Sequence, residues 1–180
     1  ADVLQRPTVS ALAARGGGGG TAVALPPLVR RVSADELLRN AHAVSWNQSQ
    51  LLTVHLGGGA ASAYNIPMAH WLVGSLSVSS LRSALEVVVA RHAVLRTTYE
   101  VSGEGFVQRV GRVPEGERLL REVSAANDEA ARAVAAADAS AGFDLLGGEG
   151  VLRCTLVRVS AERHLLLHSR DALEGSGDFF

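Results

Sequence analysis

The stretch YNIPMAHWLVGSLSVSSLRSALEVVVARHAVLRTTYE, which runs from Tyr64 to Glu100, decides the predicted fold because every local signal in it agrees. Residues 64–73 are an extended apolar run that contains a proline, as an edge strand or a strand start does, and that ends at Gly74. Ser77 can cap a following helix by accepting from the free N–H groups of the first turn. Val94 to Tyr99 is short and β-branched. The unit is predicted to be strand, helix, strand.

The helix of this unit is predicted from the spacing of its apolar residues. The positions that recur at steps of three and four residues are Leu81, Ala84, Leu85, Val88 and His92. Such spacing makes one stripe on a helical cylinder. Arg82, Ser83 and Glu86 fall off the stripe.

Length and composition bound the class of protein. The chain has 180 residues, of which 47% are hydrophobic, and this is enough for one domain-sized core. A net charge of -1 gives no field that would attract a polyanion, so no nucleic-acid partner is expected. No apolar run approaches the roughly 20 residues of a membrane span, so no membrane partner is expected. The single cysteine excludes an intrachain disulfide and fits a reducing compartment such as the cytoplasm.

The chain divides into three predicted regions. Residues 1–15 are predicted to contain a short helix, and residues 16–32, which begin with five glycines, a flexible Gly/Pro linker. A phosphate-binding loop is not expected there, because no Lys followed by Ser or Thr comes after the glycines. Residues 33–180 are predicted to hold the main domain, starting at a capping box formed by Ser33 and Glu36. The start lacks both an initiator Met and a signal-peptide pattern, so an internal cut through a longer polypeptide is expected.

Further elements follow from local patterns in the main domain. The predicted helices are Ser45 to Leu56 and Ala125 to Ala139, and the predicted strands are Phe106 to Arg112, Val151 to Val159 and His164 to His168. The first of these strands should form a hairpin with Val94 to Tyr99 across a turn at Ser102 and Gly103. Along Val151 to Val159, residues 152, 154 and 156 share one face, and residues 153, 155 and 157 share the other.

Four segments carry a family resemblance. Ser45 to Leu52, SWNQSQLL, corresponds to the motif SxAQxRLW and keeps its Ser, Gln and Leu at Ser45, Gln48 and Leu51. Tyr64 to Pro67 is an intact YNIP. The motif RHExLRTxF appears as RHAVLRTTY, with Arg91, His92, Arg96 and Thr97 retained, and Phe143 to Leu145 followed by Leu152 and Arg153 is similar to FDLxxGPLLR. The chain thereby resembles the condensation domain of nonribosomal peptide synthetases.

The resemblance implies an α/β fold of the chloramphenicol-acetyltransferase-like type, of which the chain holds only the N-terminal lobe, a mixed sheet with flanking helices. The family forms amide bonds between aminoacyl or peptidyl thioesters tethered to carrier domains by phosphopantetheine. Residues 1–15 resemble the closing helix of such a carrier. The expected partners are therefore upstream and downstream carrier domains and the C-terminal lobe, with no cofactor bound directly by this chain.

The family's site motif is HHxxxDG, whose second His is thought to position or deprotonate the acceptor amine. If Glu174 and Gly175 stand for the Asp-Gly pair, the two His positions fall on Ser169 and Arg170. Anchoring on Leu165 to Leu167 moves them to Arg170 and Asp171, and taking His168 as the first His puts the second on Ser169. No register supplies the second His. Arginine stays protonated and has no lone pair to offer, so we do not expect family-type catalysis.

Several interpretations stay open at this stage. The missing His is explained either by a degenerate domain or by a sequence that leaves its reading frame near its end. The function is that of an inactive condensation fragment, a non-catalytic module that docks a carrier, or another acyltransferase of the same fold. Arg91 and Arg96 are expected to form structural ion pairs, with a functional role as the alternative.

The histidines and the cysteine have simpler interpretations. His164 and His168 would stand about 13 Å apart on a strand, too far to share a metal ion, so no metal site is expected. His92 is interpreted as a structural residue at the end of its helix, and His55 and His70 as surface or interface residues. Cys154 is interpreted as a small core residue, because nothing nearby in the sequence supplies a base.

Overall fold

The computed structural model of the chain describes residues 34–58, 62–103 and 105–173. Four predictions concern residues outside these ranges: the helix within residues 1–15, the glycine linker, the capping residue Ser33, and the positions Glu174 and Gly175. The three regions into which the sequence divides therefore remain predictions.

The described residues contain four helices and seven strands. The helices are α1 (Ala34–Arg39), α2 (Trp46–Leu56), α3 (Val78–Arg91) and α4 (Asp128–Ser140). The strands are β1 (His42–Ala43), β2 (Asn65–Val73), β3 (Thr97–Ser102), β4 (Gly105–Val110), β5 (Arg121–Ser124), β6 (Leu152–Ser160) and β7 (Arg163–Asp171). Two 3-10 turns, Ala93–Arg96 and Gly116–Arg118, precede β3 and β5.

The strands form two sheets. One has four strands in the order β2-β7-β6-β5, with β7 antiparallel to both neighbours and β5 parallel to β6. The other has three strands in the order β1-β4-β3, all antiparallel. The larger sheet is mixed and has helices packed against it, as predicted. Its strand β2 lies at an edge, which is where the backbone nitrogen of Pro67, having no hydrogen to donate, is tolerated.

The predicted strand from Val94 to Tyr99 is wrong at its start. Residues 93–96 form a 3-10 turn, and the strand begins only at Thr97 and continues to Ser102. The turn is closed by the Leu95 N–H, which donates to the His92 carbonyl at 3.1 Å, and by the Thr97 hydroxyl, which donates to the Ala93 carbonyl at 3.0 Å. These local hydrogen bonds outweigh the β-propensity of Val94. The predicted hairpin between β3 and β4 is confirmed.

Helix α3 and its cap are confirmed, but only some of the apolar residues predicted to share its buried face pack into the core. The Ser77 hydroxyl accepts from the Ser80 N–H at 3.3 Å. Leu81 and Leu85 pack into the core and Val89 is fully buried, which continues the face at steps of four. The other predicted stripe residues, Ala84, Val88 and His92, are exposed. The contact surface therefore follows residues 81, 85 and 89 along the helix axis.

The other predicted elements are present, but three boundaries are shifted by more than one residue. Strand β4 ends at Val110, two residues earlier than predicted, and β7 continues three residues beyond His168 to Asp171. Helix α4 begins three residues later than predicted, because the Asn127 side chain accepts from the Ala130 N–H at 2.9 Å and so caps the helix. The alternation of β6 is as predicted. Leu152, Cys154 and Leu156 pack with α3, whereas Val157 packs with α4.

Helices α3 and α4 cover opposite faces of the four-stranded sheet. The α3 side contains Leu120, Cys154 and Leu156, against which Leu81, Leu85 and Leu166 pack. On the α4 side lie Ala131, Val157, Leu165 and Leu167, together with Trp71 and Val134. A third cluster joins α2 and β3 to the segment before β6 and to the residues after β7, and it contains Leu52, Tyr99, Phe143, Leu145, Val151 and Leu173.

This third cluster gives a test of which face of α2 is structural. Leu52 is fully buried, whereas Val54, two residues later on the same helix, is 47% exposed. Leu52→Ala should lower the free energy of unfolding by about 3 kcal/mol, because it removes buried methyl groups and leaves a cavity. Val54→Ala, the matched control, should change it by no more than about 0.5 kcal/mol. Urea unfolding followed by circular dichroism measures both, and equal effects would contradict this packing.

Candidate functional site

The predicted site positions Ser169 and Arg170 lie on the central strand β7 and face opposite sides of the sheet. Successive side chains of a strand alternate between the two faces of a sheet. Ser169 is 1% exposed and faces α4, where its hydroxyl donates to a carboxylate oxygen of Asp138. Arg170 is half-buried and lies on the α3 side, the side to which Leu166 also points. A histidine at position 169 would therefore face α4, whereas a histidine at position 170 would lie on the α3 side of the sheet.

Asp171, the second His position in the alternative register, is 3% exposed and on the same face as Ser169. Its Oδ1 accepts from the Leu173 N–H at 2.8 Å. Burial raises the pKa of this carboxyl, although the hydrogen bond from Leu173 and the charge of His55 act in the opposite direction. Asp171 closes the end of β7 by this hydrogen bond.

Asp138 of α4 links two neighbouring strands of the sheet. Besides the Ser169 hydroxyl, it accepts from Arg153 Nε at 3.0 Å. Arg153 and Ser169 are directly opposite each other in the pairing of β6 with β7. The Arg153 guanidinium also donates to the carbonyls of Asp138 and Ala141 and lies 4.6 Å from the ring centroid of Phe143. This buried polar cluster, Asp138, Arg153 and Ser169, holds the end of α4 on the sheet.

The first motif forms the start of α2. Ser45 accepts from the Gln48 N–H at 3.2 Å, and Gln48 Oε1 accepts from the Ser45 N–H at 2.8 Å, which is a complete capping box. Gln48 is buried, and its Nε2 lies 3.3 Å from the Tyr99 hydroxyl. This contact joins the first motif to β3, the strand that contains Tyr99, the last residue of the second motif. These contacts give Ser45 and Gln48 a role in holding the scaffold.

The second motif contributes mainly backbone contacts. Arg91 and His92 are exposed at the end of α3, and the His92 side chain makes no capping hydrogen bond. Arg96 Nη1 donates to the Gly111 carbonyl, the Gly111 N–H donates back to the Arg96 carbonyl at 2.8 Å, and burial lowers the pKa of the guanidinium. In the part of the chain that the structure describes, neither Arg91 nor Arg96 forms an ion pair, contrary to expectation. Thr97 is buried beneath the 3-10 turn.

The histidine next to His168 is His70 of the neighbouring strand, and not His164 of the same strand. His168 lies beside His70 of β2, with the two Nε2 atoms 3.4 Å apart, and His70 is exposed, as predicted. The pKa of His168 is lowered, first by burial and then by the charges of His70 and Arg170. His164 is buried farther along the strand. No local pattern in the sequence indicates this pair, because its members are 98 residues apart.

Cys154 is a buried core residue, as predicted, and burial together with the nearby charge of Asp138 raises the pKa of its thiol to about 11. Among residues 34–58, 62–103 and 105–173, no group of three or more His, Cys, Asp or Glu side chains is placed to hold a metal ion. None of the helices in these ranges is long and apolar enough to cross a membrane.

The architecture is that of solved condensation domains. The starter condensation domain of the rhizomide synthetase RzmA superposes with a TM-score of 0.63 at 21% identity, over 74% of this chain and 33% of that one. The X-domain from teicoplanin biosynthesis gives 0.61 at 27% identity, over 73% and 30%. The predicted fold class is thus confirmed, and this chain spans about a third of each solved domain.

The sequence comparisons identify the family. The condensation domain model matches residues 40–170, and the chain belongs to this family. Tyrocidine synthase 2 from Brevibacillus parabrevis is 33% identical over 126 residues, and surfactin synthase subunit 1 from Bacillus subtilis is 29% identical over 168 residues. These stretches cover 69% and 92% of this chain but only 3% and 4% of those proteins. The resemblance to nonribosomal peptide synthetases is confirmed.

The polar cluster on α4 can be tested by removing its carboxylate. The Asp138 and Arg153 side chains are only 10% and 19% exposed, so Asp138→Ala leaves a poorly hydrated guanidinium with only the more distant carboxylate of Glu149, at 3.8 Å. We expect a loss of about 3 kcal/mol in the free energy of unfolding. Glu100→Ala is the control, since the Glu100–Arg109 pair is about half exposed and should contribute about 0.5 kcal/mol or less. Urea titration measures both losses. Equal losses in the two variants would show that the cluster does not stabilise the fold.

Proposed function

We propose that the chain is the N-terminal lobe of a condensation domain that no longer forms amide bonds in the manner of its family. The observation that carries this proposal is the pair of side chains at the first two positions of the HHxxxDG motif, a serine at 169 and an arginine at 170. The register rests on Glu174 and Gly175 as the motif's closing pair. The parent assembly, by family, joins aminoacyl or peptidyl thioesters held on carrier domains.

The chemistry explains why these two side chains matter. In amide formation the acceptor nitrogen attacks the thioester carbonyl, the carbon–sulfur bond breaks, and the nitrogen must lose a proton. A neutral histidine can take up that proton near neutral pH, since its unperturbed pKa is about 6.5. A guanidinium offers no lone pair, so Arg170 does not take up that proton. Ser169 is buried, and its hydroxyl already donates to Asp138, so neither side chain replaces the base.

The proposed partners are an upstream and a downstream carrier domain, each with phosphopantetheine, and a second lobe that completes the domain. Support comes from the relatives, which are peptide synthetases, and from the RzmA starter domain, which has been solved in complex with C8-CoA. Coenzyme A presents the same pantetheine arm as a loaded carrier. Residues 1–15 fit the tail of an upstream carrier and residues 16–32 its linker. A cytoplasmic location fits the single reduced Cys154.

A carrier-docking module is the second candidate function. It is favoured because the scaffold segments YNIP and RHAVLRTTY are kept while the histidine is lost. Such a module would bind carriers and maintain their order without chemistry. Another acyltransferase of the same fold is the third candidate, and it would use an alcohol in place of an amine.

The catalytic part of the proposal predicts no product in a direct assay. Donor and acceptor carriers loaded with aminoacyl thioesters, incubated with the parent protein that contains this chain and its second lobe, should give no more amide by mass spectrometry than the same carriers alone. Amide formed in proportion to the concentration of the parent protein would show that the proposal is wrong. Replacing the acceptor by an alcohol tests the third candidate, because ester formation would identify an acyltransferase of different specificity.

A binding measurement with carrier domains distinguishes a carrier-docking module from a condensation fragment that has only lost its activity. We expect the holo carrier, with its phosphopantetheine arm, to bind the full chain in a saturable titration, and the apo carrier, its matched control, to bind at least about tenfold more weakly. Isothermal calorimetry measures both. If neither form binds, the docking candidate is removed, whereas the assay for amide product is unaffected by that result.

A further inference from the structure

The histidine pair lies across the strands β2 and β7. In their antiparallel pairing His168 is opposite Met68, and His70 is opposite Leu166, so the two histidines are diagonal neighbours. Leu72 on β2 and Leu166 on β7 both pack on the α3 side, and by strand alternation His70 and His168 point to that side too. The pair is therefore on the opposite face of the sheet from Asp138 and Ser169.

The two rings present the same nitrogen to one another. The ring planes differ by 14°, the ring centroids are 5.4 Å apart, and the Nε2 atoms are 3.4 Å apart. Because the nitrogens are much closer than the centroids, both Nε2 atoms face the space between the rings. A tetrahedral zinc ion with Zn–N bonds of about 2.0–2.1 Å holds two of its nitrogen ligands about 3.4 Å apart. The observed separation therefore equals that of two ligands on one ion.

We propose that His70 and His168 form a two-ligand site for a borderline-soft divalent cation such as Zn²⁺, bound through both Nε2 atoms. Imidazole nitrogen is a preferred donor for zinc, copper and nickel. His70 is exposed and His168 only half-buried, so an ion can reach the pair from solvent. The remaining coordination positions are filled by water or by a donor from another molecule.

The surroundings define the limits of the site. Cys154 is opposite His168 in the pairing of β6 with β7, but it is 5% exposed and packs among leucines under α3. It does not serve as a third ligand, in agreement with the lack of any group of three candidate ligands in the described ranges. Arg170, two residues along the same face, adds positive charge and weakens cation binding. The site is accordingly an open, two-coordinate chelate.

The test is a metal titration of the full chain with Zn²⁺ in competition with a colorimetric chelator. We expect one Zn²⁺ per chain at this site, with an affinity that falls at least about tenfold in His70→Gln. His70 is exposed, so this variant should fold normally, which circular dichroism checks. His92→Gln, which alters an exposed histidine at the end of α3, is the matched control and should leave the affinity unchanged.

A second measurement identifies the ligands directly. The electron paramagnetic resonance spectrum of the chain loaded with one Cu²⁺ should show two imidazole nitrogens, and that of either His70→Gln or His168→Gln should show one. The alternative is a hydrogen-bonded pair with one ring donating to the other and no affinity for metal. Absence of Zn²⁺ binding by the full chain, or equal binding by His70→Gln and the full chain, would overturn the proposal.

Discussion

Two-sided burial of the central strand β7 is the constraint on which the rest of the structure depends. Nine of its residues pair with β2 on one side, and eight of them pair with β6 on the other. Leu165 and Leu167 pack under α4, and Leu166 packs under α3. A shift of one residue would exchange these two sets of side chains, so the register of the strand is strongly fixed. Every candidate site residue on β7 takes its orientation from this register.

Local signals in the sequence were enough to predict most elements of the fold. Ser45 and Ser77 are good caps, and in each case the hydroxyl accepts from the backbone N–H three residues on. The alternation in β6 is regular because that strand is buried by a helix on each side. Where local signals competed, prediction failed. Val94 has the propensity of a strand residue, but hydrogen bonds within residues 92–97 place it in a 3-10 turn.

The site was less predictable, because its contacts join distant segments. The motif positions Ser169 and Arg170 were found by comparison with family motifs, but the partner of Ser169, Asp138, is on a helix 31 residues earlier. No periodicity within α4 indicates which of its polar residues faces the sheet. His70 and His168 are similar, since only the pairing of β2 with β7 brings them together. Strand order is a property of the whole sheet, and the sequence of one strand does not contain it.

The burial of Ser169 has a consequence for any attempt to engineer the family motif into this chain under the proposed register. A pair of histidines requires two substitutions, and the change at 169 must fit an imidazole into a place that is 1% exposed. It must also give up the hydroxyl that donates to Asp138, which Arg153 shares. An overpacked core typically costs about 1–3 kcal/mol, so a histidine at 169 should destabilise the fold. The polar cluster under α4 therefore limits which side chains position 169 can accept.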